Sequence, residues 1–228
     1  MHQAEQLTSH LQQSVFVKTG TGNENASDPA KADCDSIFVN IMRSADKEWG
    51  GFGKAPKFPQ FFTIQWLLQY YYFSGNEEAR GQALLSINKM LQGGIYDHAG
   101  GGLARYSTDN EWLVPHFEKM LYDNAQFITV LSEAYQLTGD GVYEKAVRDT
   151  IDFLQRECWH PGEGYCAALD ADSEGEEGKF YVWAYEELQT ILGGETAAFC
   201  SCYGVTAGGN FEGKNILHLP QSRAEWAV

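Results

Sequence analysis

Apolar residues recur at helical spacing along most of the chain, and glycine- and aromatic-rich segments separate those stretches. Phe61–Ser74 is apolar almost all round (Ile64, Trp66, Leu67, Leu68, Tyr70, Tyr71, Tyr72, Phe73), which predicts a helix buried on most sides. A helix is expected before it, from near Asp28-Pro29 to about Ala45, with Ile37, Phe38, Ile41 and Met42 on one stripe. Glu77–Gln92 follows and is stopped by Gly93-Gly94. Pro115–Thr138 reads as the longest helix, with proline in its first turn. Phe117, Met120, Leu121, Phe127, Ile128 and Leu131 share its apolar face, and His116 and Asp123 lie at the edge. Gly139-Asp140 turns the chain into an amphipathic Tyr143–Cys158, and Tyr185–Leu192 and Glu195–Tyr203 read as short helices. Between them His160–Trp183 is a loop with strand-like ends. At the N-terminus, residues 1–32 comprise a helix-compatible stretch (Met1–Val17) and the polar run Lys18–Ala32, expected as a linker.

Gly50-Gly51-Phe52, Gly93-Gly94-Ile95-Tyr96, Gly162-Glu163-Gly164-Tyr165 and Gly208-Gly209-Asn210-Phe211 each follow a helix and precede a charged, aromatic segment. Gly51 and Gly94 are 43 residues apart, Gly164 and Gly209 are 45, and Gly94 and Gly164 are 70. Periods in this range mark helix-hairpin repeats that stack side by side. Every glycine-aromatic loop then falls at the same end, and His98, Arg105, His116, Asp170 and Asp172 should converge there.

Three long motifs carry a resemblance: KAPKFPQ (Lys54–Gln60), DHAGGGLARYSTDNEWLVPHFEKMLYDNA (Asp97–Ala125) and DADSEGEEGKFYVW (Asp170–Trp183). In that order they resemble the family in which a thioredoxin-like domain precedes an (α/α)6 toroid, which includes the spermatogenesis-associated protein 20 group. The resemblance covers most of Asp33–Pro220. The family's toroid is similar to the six-hairpin glycosidase and N-acylglucosamine 2-epimerase superfamily. It implies an all-α fold over residues 33–228, made of stacked αα-hairpins forming part of a toroid, with short β-hairpin-like loops at one end. The chain departs from the pattern by lacking a thioredoxin-like portion and by holding about three or four hairpins where the ring needs six. It therefore reads as a fragment of a larger parent, or as a protomer whose neighbour completes the ring. An open apolar flank would then favour self-association.

Composition narrows the function. The chain has 228 residues, of which 43% are apolar and 14% aromatic, more rings than a plain helical core requires. A formal charge of −15 excludes nucleic acid and anionic membrane as partners held by bulk electrostatics. No run has the length of a membrane span. The five cysteines form no CxxC or zinc spacing, and Cys200 and Cys202 form a CxC, which fits reduced thiols in a cytoplasm.

Toroids of this kind would place carbohydrate chemistry at the loop end, with a small polar ligand, such as a sugar, as partner. Glycoside hydrolysis needs two carboxyls, one protonated and one ionised. Epimerisation beside a carbonyl needs a base to take a proton and an acid to return it. Asp97, His98, His116, Glu118, Asp170 and Asp172 are the catalytic candidates, with Arg105 and Tyr106 to hold hydroxyls or an anionic group. Trp112, Trp49 and Phe58 are the candidate aromatic contacts. Each has a plainer role open to it. Glu118 suits a helix first turn on macrodipole grounds alone, and Asp123 could pair with Lys119 one turn earlier. His116 could cap or fill, Asp97 could fix a tight turn, and Arg105 could bridge hairpins. Asp170, Asp172, Glu174 and Gly175 imitate half an EF-hand loop, but Tyr181 stands where the bidentate Glu belongs. No nucleotide-binding glycine motif and no HExxH is present, so neither cofactor nor metal is expected. The competing reading is a non-catalytic binding or scaffold module of a thioredoxin-linked protein.

Overall fold

The computed structural model describes residues 31–221. The N-terminal helix and linker expected over 1–32 lie outside these residues, apart from Lys31 and Ala32, which are helical. Seven α-helices are present among the described residues: α1 (Lys31–Ser44), α2 (Phe61–Ser74), α3 (Glu77–Gln92), α4 (Leu121–Thr138), α5 (Gly141–Phe153), α6 (Tyr185–Leu192) and α7 (Thr196–Cys202). α5 runs on as a π-helical turn, Leu154–Cys158, rather than as regular helix to Cys158.

Two tight turns of one design make αα-hairpins of α2–α3 and α4–α5. Gly75 and Gly139 end the first helix of each pair at φ 71° and 70°, returning their N–H groups to Tyr71 and Tyr135. Asn76 and Asp140 then cap the second helix with a side-chain oxygen. Because these turns occupy one end of each pair, the long segments before α2, between α3 and α4 and after α5 all lie at the other.

α2 packs on α3 and α4, and α4 packs on α5. Ile64, Leu67, Ala83, Ile87, Met90, Phe127 and Leu131 are sealed in the core between them. α2 is nonetheless less covered than its composition predicts, with Phe62, Tyr72 and Phe73 more than 70% exposed. Its neighbours cover only the Ile64–Leu67–Leu68 side.

Four two-stranded antiparallel ladders lie in the long connections: β1 (Tyr106–Ser107) with β2 (Pro115–His116), β3 (Lys119–Met120) with β6 (Ala168–Leu169), β4 (Trp159–His160) with β5 (Gly164–Tyr165), and β7 (Asp172–Ser173) with β8 (Glu176–Glu177). Further backbone bonds join the connections to one another. Lys57 exchanges hydrogen bonds with Ser107, Trp183 exchanges them with Asn215, and Leu219 donates to Gln92. The loops do share one region, as the repeat pattern predicts.

The largest correction falls on Pro115–Met120. It is extended, and α4 starts at Leu121. The Arg105 N–H donates to the Glu118 carbonyl and the Leu121 N–H to that of Ala167, so partners elsewhere in the sequence take the groups a first helical turn would use. Extended backbone gives a period of two: Pro115, Phe117 and Lys119 are buried, and His116 and Glu118 face the other way. The macrodipole and helix-cap roles considered for Glu118 and His116 therefore do not apply.

Candidate active site

His116 and Glu118 project from the same side of this strand, with His116 Nε2 3.8 Å from Glu118 Oε2. Arg105, one residue before β1, donates from Nη1 to Glu118 Oε2 at 2.8 Å. The β1–β2 register places Tyr106 opposite His116, and their rings stack with centroids 5.0 Å apart. The Lys57–Ser107 pairing brings Phe58 onto Tyr106, centroids 4.8 Å apart. Phe58, Tyr106 and His116 thus form a continuous ring surface, open to solvent at Phe58.

Two acids that the sequence reading did not assign to a site complete the group. Glu177, on β8, accepts from or shares a proton with His116 Nδ1 at 2.6 Å. In the tautomer that donates Nδ1–H to Glu177, Nε2 carries the lone pair and faces the Glu118 side. Asp123 sits in the first turn of α4, buried, with Oδ2 lacking any hydrogen-bond partner. Burial pushes its carboxyl up to about 6; the Arg105 charge opposes this and the Glu118 charge adds to it. Arg105 Nε is likewise buried without a partner. Next to Asp123, Asn124 fixes the helix start by accepting from the Leu103 N–H and donating to the Leu103 and Met120 carbonyls.

The other candidates fall elsewhere. Asp97 Oδ1 accepts the Ala99 and Gly100 N–H groups while Oδ2 pairs with Lys119 Nζ at 2.7 Å, so this carboxylate is saturated in the tight-turn role. Lys119 therefore does not pair with Asp123. It is buried, also donates to the Gly101 carbonyl, and lies over the Phe153 and Tyr181 rings. His98 shares a hydrogen bond with the Gly93 carbonyl through Nε2 and meets the Tyr96 and Tyr203 rings edge-on. Burial lowers its pKa to about 4, which leaves it neutral and a weak base at physiological pH. It lines a cavity of about 560 Å³ with Asn88, Asp149 and Tyr203, none of which belongs to the His116 group.

Trp112 is a correction: it is fully buried, donates from Nε1 to the Trp49 carbonyl at 2.8 Å, and offers no face to a sugar. The Trp49 ring is half-buried beneath Lys89 Nζ. Asp170 and Asp172 are exposed, and Asp170 Oδ1 accepts the Asp172 N–H in a local turn. Their hairpin approaches His116 through Glu177, the register partner of Asp172. A concavity of about 790 Å³ lies on the face that Lys119 turns to, also lined by Arg156, Lys179, Tyr181 and Trp183. None of its lining residues belongs to the His116 group, whose His116 and Glu118 side chains are 28% and 24% exposed.

Among the described residues, no three His, Cys, Asp or Glu side chains are grouped as a metal site. None of the described helices is long and apolar enough to cross a membrane. Period-two burial in Pro115–Lys119 was the signal that could have placed His116 and Glu118 together. Glu177 had no comparable signal, since nothing in the acidic run Glu174–Glu177 marks the one that reaches His116.

No family model matches the chain. Human spermatogenesis-associated protein 20 is 37% identical over 215 residues, covering 81% of this chain and 27% of the human protein. This chain thus spans about a quarter of the length of the curated relatives it matches. Among solved structures, a sugar epimerase from a ruminal bacterium superposes with a TM-score of 0.53 at 18% identity, over 68% of this chain and 44% of that one. A family 76 glycoside hydrolase (mannosidase) from Bacteroides thetaiotaomicron gives 0.51 at 13% identity, over 75% of this chain and 52% of that one. The chain is therefore a homologue of part of spermatogenesis-associated protein 20, and its helical hairpins have the α/α-toroid fold that sugar epimerases and glycoside hydrolases also use.

Proposed function

We propose that this chain carries an acid–base site for a sugar with a free reducing end, and that its chemistry is of the epimerase type. The observation that carries the reading is His116 held at Nδ1 by Glu177 with Glu118 3.8 Å from its Nε2, and a buried Asp123, within reach of the Glu118 and Arg105 charges, whose carboxyl is half-protonated near pH 6. His116 Nε2 would take the proton from the carbon next to the sugar carbonyl. Asp123, in its protonated form, would return a proton. Arg105 would hold the carbonyl oxygen or a hydroxyl through N–H groups left over from its Glu118 pair. The Phe58–Tyr106 surface would bind the apolar face of the sugar ring. The fold shared with a sugar epimerase supports the same substrate class.

Hydrolysis of a glycosidic bond is the second reading, because a raised Asp123 beside Glu118 supplies one protonated and one ionised carboxyl. Against it, Glu118 is already engaged by Arg105.

Proton NMR in D2O with glucose, mannose and cellobiose tests the proposal. The expected result is loss of the C2 proton signal with appearance of the C2 epimer, abolished in His116→Ala. Release of free monosaccharide from cellobiose with the C2 proton retained would establish hydrolysis instead. If every sugar stays unchanged while the protein still gains thermal stability from it, the chain is a non-catalytic binding module.

A further inference from the structure

Two of the five cysteines face each other across the β4–β5 hairpin. Trp159 pairs with Tyr165 and His160 with Gly164, so the next rung joins Cys158 to Cys166. The Cys166 N–H donates to the Cys158 carbonyl at 2.8 Å, consistent with that rung. Directly opposed residues of an antiparallel pair hold their Cα atoms about 4.5–5.5 Å apart, within the roughly 4.4–6.8 Å that a disulfide spans. Both side chains join one apolar cluster with Phe153, Leu154 and Leu169. All five thiols are free, Cys158 buried and Cys166 half-buried. Burial, with the Cys166 thiol close by, pushes the Cys158 thiol up to about 12.

We propose that Cys158 and Cys166 are a disulfide-forming pair, oxidised by small-molecule disulfides of the glutathione type. The Cys166 thiolate, the more accessible of the two, attacks one sulfur of the oxidant, forming a mixed disulfide and releasing one glutathione thiolate. Cys158 then gives its proton to water and attacks the Cys166 sulfur, closing the protein disulfide and releasing the second glutathione. The two cysteines lose two electrons and two protons, and the oxidant is reduced to two thiols. The crosslink would fasten the end of α5 to the strand leading into Ala167 and β6. Ala167 accepts the Leu121 N–H and β6 pairs with β3, so oxidation would brace the start of α4, where Asp123 sits.

Treatment of the folded protein with oxidised glutathione, followed by intact-mass measurement, thiol counting and peptide mapping, tests this. The expected result is a loss of two hydrogens, three remaining free thiols and a crosslinked Cys158–Cys166 peptide. Closure should speed up with rising pH, by about tenfold per unit while Cys158 remains mostly protonated. Cys158→Ser should accumulate a stable glutathione adduct on Cys166, and Cys166→Ser should leave Cys158 unmodified. Five free thiols after treatment, a persistent Cys166 adduct in the wild type, or a Cys200–Cys202 bond in its place would each overturn the proposal.

Discussion

His116 and Glu118 stand two residues apart on one edge of an extended segment, Nε2 of the first 3.8 Å from Oε2 of the second. Alternation of the pleat puts Phe117 and Lys119 on the opposite edge, where both are buried. A single six-residue stretch thus supplies a structural face and a chemical face. The chemical face is completed from three other segments: Arg105 and Tyr106 before it, Asp123 after it, and Glu177 from the β7–β8 hairpin.

Asp123 costs stability at neutral pH. Its folded pKa, about 6, lies above its ordinary value of 3.8, so the folded state binds the extra proton between those two values. Stability should therefore fall as pH rises from 4 to 6 and stay level above. Asp123→Asn should be more stable than wild type by about 1–2 kcal/mol at pH 7, a figure reduced for partial solvent screening. The advantage should vanish below pH 4. Urea denaturation across pH 3.5–7.5 measures both arms, and the NMR assay should show turnover lost in the same variant.

The Asp97–Lys119 pair has the opposite sign. Burial alone would raise the Asp97 pKa, but the Lys119 charge and the Gly100 and Ala99 N–H groups bring it below 3.8. That contribution is present above the unfolded value and is lost as pH falls through the folded one. Lys119→Met leaves the Asp97 charge facing an apolar neighbour in a buried setting, and should cost about 3–5 kcal/mol at pH 7. Equilibrium denaturation at pH 7 and pH 3 checks it, because the penalty should shrink once Asp97 is protonated.

The aromatic candidates divide into core and surface. Trp112→Ala should cost about 3–5 kcal/mol through the cavity and the lost bond to the Trp49 carbonyl. Phe58, at 44% exposure, should give a change within about 0.5 kcal/mol when replaced by Ala. Phe58→Ala should instead weaken sugar binding while leaving the melting temperature in place, which differential scanning fluorimetry and titration together resolve.

Gly178 connects the β7–β8 hairpin to the core. Its φ is +73°, and a Cβ there would stand 2.4 Å from the Phe117 ring. Gly178→Ala should displace the hairpin carrying Glu177, destabilising the protein by about 1–3 kcal/mol. The same displacement should lower turnover at His116 more than Glu177→Gln does, because Gln keeps a hydrogen-bond acceptor at that position. Relative kcat values for the two variants check this.

The helices were the most legible part of the sequence. α2, α3 and α6 begin and end at the expected residues; a glycine follows each C-terminal end (Gly75, Gly93, Gly193), and Asn76 caps the start of α3. Pro115 misled for a physical reason: its fixed φ suits a strand edge as well as a helix start. The pairing that decides between these, with Tyr106 and Leu169, is remote in sequence. Of the candidate site, Phe58, Arg105, Tyr106, His116 and Glu118 come together. His98 does not: its ring is held on the Gly93 carbonyl and against the Tyr96 and Tyr203 rings. Trp112 looked like a ligand platform because composition alone does not distinguish a sealed indole from an open one.

The most direct test of the central claim is calorimetric titration of mannose and cellobiose into wild type, His116→Ala and His98→Ala. If the group around His116 is the sugar site, wild type and His98→Ala should bind one of them within twofold of each other. His116→Ala should then bind at least about tenfold more weakly. Loss of binding in His98→Ala with full binding in His116→Ala, or no binding of either sugar to wild type, would contradict the account.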